Sequence, residues 1–328
     1  MNLSPVPSGA ASENLSSSEE TPTVTATVAP VSGIRRAATT ALRWGQALFH
    51  NRLFRVAALV VAVLVSAWNV DRVPHLTLLP AVVGLLPFVI GKYVACPLRW
   101  HALSASGQTR RWHLRAYAES EILGLITPWH AGADLWRVHR LETTGVRRAP
   151  AVAEVALDRF VGAVGMIVAV VVSGVALPPI VMGVALVGAA VVLAVAVLVN
   201  RRKPGFKDRW PWPSWKVFAG GVALSVVYQL TIVCLLVGAI HAVGDSVSAL
   251  QLLGVFGASQ VAGALPGVHG ATPREGALVA GLAAIGVPWT AALGAVALTA
   301  LLTWVPALLL GGGGLLLRWR TSRRPATA

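Results

Sequence analysis

Charge is scarce in this chain, and negative charge scarcer still. Only 12% of its 328 residues are Asp, Glu, Lys or Arg, and 13 acidic residues stand against 27 basic ones. Two cysteines, Cys96 and Cys234, both fall in or beside apolar runs, which argues against a disulfide framework and against a thiolate metal site. No acid, histidine or thiol cluster has metal-ligand spacing. No serine, cysteine or paired-carboxylate arrangement resembles a catalytic set. No cofactor is therefore expected, and the loops are too short to hold a nucleotide-binding domain. Residues 1–33 are rich in Ser, Pro and Thr, acidic at Glu13, Glu19 and Glu20, and carry no basic n-region. They are read as a disordered cytoplasmic tail.

What the chain has in abundance is apolar sequence, 55% of all residues. Its runs are long enough to cross a bilayer, so the class is an all-α polytopic membrane protein rather than a soluble domain. The formal charge of +14 does not signal nucleic acid. Lys and Arg cluster in short loops between apolar spans, which is the pattern of orientation and of contact with anionic lipid heads. Residues 34–52 are a basic interfacial segment, residues 53–318 the transmembrane domain, and residues 319–328 a basic cytoplasmic tail. Crossings are expected at Leu53–Val70, Leu76–Leu98, Val152–Leu177, Ile180–Val199, Val217–His241 and Thr290–Leu317. Nearly all basic residues then lie on one side, Arg72 being the outer exception. Both termini are cytoplasmic, and the cell membrane is the expected location.

Two apolar stretches do not fit a single crossing. Ala116–Arg140 is broken by Pro128, Gly132 and Asp134 and flanked by arginine on both sides. Gln251–Val287 is broken at its centre by Pro266, Gly267 and Gly270. Each reads as a re-entrant hairpin, the first opening from the cytoplasm and the second from outside. Six transmembrane helices with two opposed re-entrant hairpins place three crossings in each half, which makes an inverted repeat. Non-helical backbone survives at membrane depth only where protein buries it or where it lines a wet cavity. Broken segments at matching positions in two halves point to a transporter's midplane site.

The polar residues at these breaks are the candidate site. Thr272-Pro273-Arg274-Glu275 has the form of a capping box with proline at the first helical position. Asp134 reads as the N-cap of the returning arm of the first hairpin. Two helix N-termini facing one cavity suit an anionic head group. Arg274 lies at depth, either as a phosphate partner or paired with Asp134, Asp158 or Glu275. Glu275 is a cap before it is a ligand. Asp158 and Arg159 read as a structural ion pair at the base of the first hairpin. Glu154, Asp158, Gly162 and Gly165 share a face open to close helix packing. Lys92 reads as snorkelling inward, with a role in the site as the lesser reading. His130 and His269, at the two tips, are either proton carriers or backbone hydrogen-bonding partners.

At these stretches the sequence resembles the transmembrane region of the lysylphosphatidylglycerol synthase family, also described as flippase-like. TPWHAGADLWRVHRL is similar to the family's Pro-Gly-Gly-x-Gly-Gly-Asp-x-x-Arg pattern at Pro128, Gly132, Asp134 and Arg137. VALDRFVG resembles its Leu-Asp-Arg at Asp158 and Arg159. LPGVHGATPREG resembles its Pro-Gly-Gly-x-Gly-x-Arg-Glu segment at Pro266, Gly267, Gly270, Arg274 and Glu275. The resemblance implies a protein that moves or handles membrane lipids, an anionic phospholipid or a polyprenyl-linked sugar, with a lipid-modifying enzyme as partner. The soluble aminoacyl-transferase domain of full-length synthases has no counterpart up to Ala328, so lysyl-lipid synthesis is not expected. Two other readings stand beside transport. One is a membrane-embedded transferase with Asp158 or Glu121 as base; the other is a non-catalytic anchor for another enzyme.

Overall fold

The computed structural model describes residues 52–127, 130–176, 213–263 and 272–322, with isolated positions between 179 and 187. The expectations for the tail 1–33, the segment 34–51, most of Ile180–Val199, the tip residues Pro128, Pro266, Gly267, His269 and Gly270, and the tail 323–328 lie outside the described residues.

Among the described residues every element is helical. Helix α1 is Arg52–Asp71. Helix α2 runs Leu78–Leu103, with a π-helical turn at Gly91–Ala95 just past Pro87. Helices α3 (Arg110–Leu125) and α4 (Ala131–Glu142) form a first hairpin. Helix α5, Arg148–Val172, ends in a short 3₁₀ turn, Ser173–Ala176. Helix α6 is Trp215–Ala242. Helices α7 (Ala249–Ala262) and α8 (Pro273–Ala284) form the second hairpin. Helix α9 runs Trp289–Pro306, a π-helical segment Ala307–Gly312, then Gly313–Ser322. Helices α2, α5, α6 and α9 are long and apolar enough to cross a membrane.

Starts and stops follow local chemistry. The Thr109 side chain accepts from Trp112 N–H, Ser214 from Val217 and Ser248 from Gln251, capping α3, α6 and α7. The expected capping box is present on α8: Glu275 N–H donates to Thr272 Oγ1 at 3.3 Å, and Thr272 N–H to Glu275 Oε2 at 2.6 Å. The start of α4 differs from expectation. Asp134 lies in its first turn, and the N-cap is His130, in the left-handed region at φ 58°. Thr127 substitutes for the missing cap, its Oγ1 accepting from Gly132 N–H at 2.8 Å. Asp134 is thereby left to face arginines.

The central contact is α2 against α6, where side chains are absent by necessity. A Cβ on Gly84 would sit 2.6 Å from the Cys234 carbonyl oxygen, and one on Gly238 would run into that of Pro80. Such small residues let helix backbones touch where lipid gives no hydrophobic drive to associate. The glycine face of α5 works the same way: a Cβ on Gly165 would collide with Ser225 Cβ on α6. Around this seam, Leu235, Leu236, Ile240, Leu252 and Leu282 form the main buried core. Large apolar side chains such as Leu64, Leu79, Leu86 and Leu309 point outward.

The hairpins begin at opposite ends of this bundle. At one end Leu103 packs with Val217 and Phe218, so the first hairpin opens beside the start of α6. At the other end Thr77 N–H donates to the Ala242 carbonyl at 2.8 Å, so the second opens where α6 finishes. The arms have 16, 12, 14 and 12 residues. The longest thus spans about 24 Å, short of a hydrocarbon core of about 30 Å. Their packing is reciprocal. Arm α3 lies on the π segment of α9, where a Cβ on Gly311 would run into the Ala118 carbonyl, and α7 lies on Ser173–Ala176 at the end of α5. The return arms α4 and α8 pack on α5 and α9.

Gly84→Val puts two methyls into a backbone contact. The expected cost is about 1–3 kcal/mol, visible as a lowered melting temperature in detergent; an unchanged melt would show that the seam yields.

Candidate functional site

Both hairpins turn toward one cavity of about 490 Å³. Gly124, Thr127 and His130 reach it from the first hairpin, and Gly263, Thr272 and Arg274 from the second. The π turn of α2 supplies Lys92 and Tyr93, α6 supplies Tyr228 and Gln229, and α9 supplies Thr299 and Thr303. A π turn adds a residue to the helical circuit and re-aims the side chains it carries. Here it turns Lys92 inward, where its Nζ lies 2.8 Å from Glu121 Oε2 on α3. His130 Nε2 is 3.7 Å from the same oxygen. Lys92 is thus one half of an internal ion pair.

Arg274 occupies the first turn of α8, and its Nε is buried with no hydrogen-bond partner. Its guanidinium sits 5.7 Å from the Phe256 ring centroid. Among the described residues no ion pair reaches it, because the carboxylates near the cavity pair with Lys92, Arg99, Arg137 and Arg159. Glu275 beside it is engaged in the cap. Asp134 and Asp158, its possible partners from sequence, are held elsewhere.

They belong to a chain of five charges. Asp158 is fully buried and accepts from Arg99 Nε at 2.7 Å, Arg99 Nη2 at 3.0 Å and Arg137 Nη1 at 2.8 Å. Arg137 Nη2 donates to Asp134, which also receives Arg159 Nε at 2.8 Å. Arg99 Nη1 reaches Ser225 Oγ at 2.9 Å. The chain ties α2, α4, α5 and α6 together. Asp158 and Arg159, adjacent in sequence, do not pair with each other, because successive helical residues point about 100° apart. Arg137 is 2% exposed and lies 5.2 Å from the Tyr117 ring centroid. Asp134, Arg137 and Asp158 are thus off the cavity wall, while Arg99 and Arg159 reach it.

Closer to the loop end of the first hairpin, Glu119 gathers Trp136 Nε1 at 3.2 Å, Arg140 Nε at 2.9 Å and Arg318 Nη1 at 3.7 Å, joining α3, α4 and α9. Next to the loop, His113 is buried among Trp100, Trp112 and His101. Its Nδ1 is 3.1 Å from the Thr109 carbonyl and its Nε2 has no partner, which fits a neutral ring. Burial pushes this imidazole from 6.5 down to about 4.

Sequence reasoning passed over Arg99, placed at a loop edge, and the pairing of Lys92 with Glu121. A signal existed: a lysine and a glutamate each alone in apolar sequence must find a partner. Nothing in a separation of 29 residues fixes which. Among the described residues no His, Cys, Asp and Glu group could hold a metal. The family model of the lysylphosphatidylglycerol synthase TM region matches residues 52–311. No curated protein and no solved structure matches the chain.

Asp158→Asn leaves Arg99 and Arg137 competing for a neutral amide at zero exposure. The expected loss is about 3–5 kcal/mol, read as failed folding or a sharply lowered melt, whereas Arg148→Gln at the surface leaves the melt unchanged. For His113, the folded-state value lies below the unfolded one. Its stabilising contribution is therefore complete above pH 6.5 and lost as pH falls from 6.5 toward 4. His113→Phe should flatten this part of a stability–pH curve; an unaltered slope would assign it to another group.

Proposed function

We propose a transport function from two premises: the chain belongs to the lysylphosphatidylglycerol synthase TM-region family, and its two hairpins close on one charged cavity. In this reading the protein is a multi-pass flippase-like membrane protein that moves an anionic lipid or lipid-linked saccharide between leaflets. Helices α1, α2, α5, α6 and α9, with Ile180–Val199, are its six crossings. The two hairpins are re-entrant. Arms too short to span, opening at opposite ends, support this. So does their reciprocal packing, in which each first arm lies on the closing helix of the other half, as an inverted repeat requires.

Orientation rests on charge. Arg110, Arg111, Arg147, Arg148, Lys216 and Arg320 gather at the end where the first hairpin opens, while the other end has Arg72 beside Asp71 and Asp245. The basic end is cytoplasmic, both termini lie there, and the plasma membrane is the location.

The observation that carries the proposal is Arg274, a cation with no carboxylate ion pair among the described residues, on the cavity that both hairpins line. A lone charge at depth costs at least about 2.5 kcal/mol, and an incoming phosphate offsets that cost. The head group enters the cavity while its tails stay in the bilayer, and the halves rock to change access. Arg159 is the second cation the head group meets. Arg137, Asp134 and Asp158 hold the first hairpin in place, and Glu275 fixes the N-terminus of α8. His130 adjoins the Lys92–Glu121 pair. A transferase would need a free base, but Asp158 is held by two arginines and Glu121 by Lys92. A lipid-modifying enzyme working beside this chain is compatible with transport.

In proteoliposomes carrying head-group-labelled anionic lipid, Arg274→Ala should slow translocation by about 10- to 100-fold, the worth of a charge-assisted hydrogen bond. Arg274→Lys should recover part of it. An Arg274→Ala protein that is correctly inserted and as fast as wild type would remove the assigned site.

A further inference from the structure

Glu121 is held more loosely than the other acids that lock the first hairpin. Asp158 takes three guanidinium bonds, Asp134 two arginines, and Glu119 the side chains of Trp136, Arg140 and Arg318. Glu121 takes one cation within 3 Å, the Lys92 ammonium at 2.8 Å, and both residues line the cavity. A lysine reaches its partner as a point charge on a flexible stem, not as a planar fork. This bond therefore breaks by rotation of one side chain, with no backbone shift. Among the described residues it is also the one ion pair that joins α2 to α3. Breaking it removes the ionic tie between the scaffold and the first arm of the first hairpin.

A second observation concerns what stands beside that bond. His130 Nε2 lies 3.7 Å from the same oxygen, Glu121 Oε2. The His130 side chain is 29% exposed and lines the cavity, whereas that of Glu121 is 5% exposed, so the imidazole bridges the open space and the buried carboxylate. Its placement is built in. The His130 backbone is held in the left-handed region at φ 58°, a conformation that costs about 1 kcal/mol or more and collects at functional sites. The ring lies in the space left by a missing side chain, since a Cβ on Gly124 would fall 2.7 Å from His130 Cδ2. Histidine changes charge between about pH 5 and pH 8. The other groups facing Glu121 are Tyr93 on the π turn of α2, Tyr228 on α6, Arg137 on α4 and Tyr117 on α3 itself. The part of α9 packed on α3 brings Gly311 and Gly312, and its Arg318 pairs with Glu119. Arg274 shares the cavity from α8.

We propose that Glu121 is a proton-binding site, that His130 carries the proton between it and the cavity, and that the bound proton breaks the Lys92 tie of the first hairpin to α2. The chemical step is one proton transfer. The Nε2–H bond of the His130 imidazolium breaks and an O–H bond forms on Glu121 Oε2. The imidazole is left neutral and takes its next proton from water in the cavity. Lys92 keeps its three protons. With the carboxylate neutral, its charge rests by the Tyr228 ring, whose centroid is 5.4 Å from Nζ. The tied state holds Glu121 ionised and the untied state holds it protonated. By linkage, release of the hairpin takes up a proton, and a fall in pH favours release. The proton site and the tie stand on geometry alone. One consequence rests on the transport reading, that a proton gradient drives translocation.

The test is infrared difference spectroscopy of the full chain in lipid bilayers, stepped from about pH 8 to about pH 5, the range in which a histidine relay changes charge. The wild type should gain the C=O stretch of a protonated carboxylic acid, and Glu121→Gln should lose that band. Lys92→Met takes away the cation that keeps Glu121 ionised, so the band should already be present at the start; this variant reads the same site if Glu121→Gln does not fold. His130→Phe should leave the final band unchanged and slow its appearance after a rapid pH jump by about tenfold or more. Hydrogen exchange of the amides of 121–126, corrected for the intrinsic effect of pH, should lose about tenfold in protection over the same step. Glu121→Gln should show the lower protection throughout. A wild type without the band, a Glu121→Gln protein that keeps it, or exchange indifferent to pH would overturn the inference and leave transport standing. So would translocation in proteoliposomes that ignores an imposed proton gradient. Absence of translocation under every gradient, with the band and the exchange change intact, would keep the proton site and remove the transport reading.

Discussion

Asp158 is wholly buried and shared by guanidinium groups from two helices, and the first hairpin depends on that arrangement. A carboxylate at zero exposure is stable only when its lone pairs are taken by charged donors. Arg99 supplies a bidentate pair from α2, and Arg137 supplies a third bond from α4. Arg137 in turn holds Asp134, and Asp134 holds Arg159 on α5. Three helices are registered by these five side chains, and Ser225, bonded to Arg99, brings in α6. The return arm α4 is short, and this chain joins it to α5 beside the apolar contact of Leu141 and Val138 with Ala151 and Val155.

The cavity follows from the same distribution of charge. Because the first hairpin's acids are satisfied by Lys92, Arg137, Arg140, Arg159 and Arg318, none of them forms an ion pair with Arg274 on the second. Glu121, which also lines the cavity, is taken by Lys92. The result is a polar space in which, among the described residues, Arg274 has no ion pair and Gln229 Oε1 no hydrogen-bond partner, closed by apolar and aromatic walls. Backbone geometry makes room for it. The π turn in α2 aims Lys92 inward, the one left-handed non-glycine residue among those described, His130, reverses the chain at the first tip, and proline at the head of α8 presents that helix end to the space. Irregular backbone collects where the polar site is, as expected for a membrane interior that tolerates it nowhere else.

Much of this architecture was readable from residue order. Apolar runs gave the long helices, and the breaks around Gly132 and within the segment 265–275 gave the two helical hairpins. The letters Thr-Pro-Arg-Glu gave a capping box that the structure contains. Asp134 was misread as a cap because Asp before a helix is commonly one; the hydroxyl of Thr127, seven residues earlier, took that position, through a turn that sequence does not specify. Arg99 was passed over because it lies where a loop was expected to begin, although the helix continues to Leu103 and buries it.

Sequence by itself determined where helices form, which are apolar enough for a membrane, and that several charges must sit among them, since these depend on local periodicity, capping and composition. It could not determine which charge meets which. Lys92 with Glu121, Asp158 with Arg99 and Arg137, and Arg274 with no acid among the described residues are outcomes of helix rotation and crossing set by glycine contacts such as Gly84 with Cys234 and Gly165 with Ser225. Those contacts join residues far apart in the chain, and a rotation of one residue, about 100°, would have exchanged every partner.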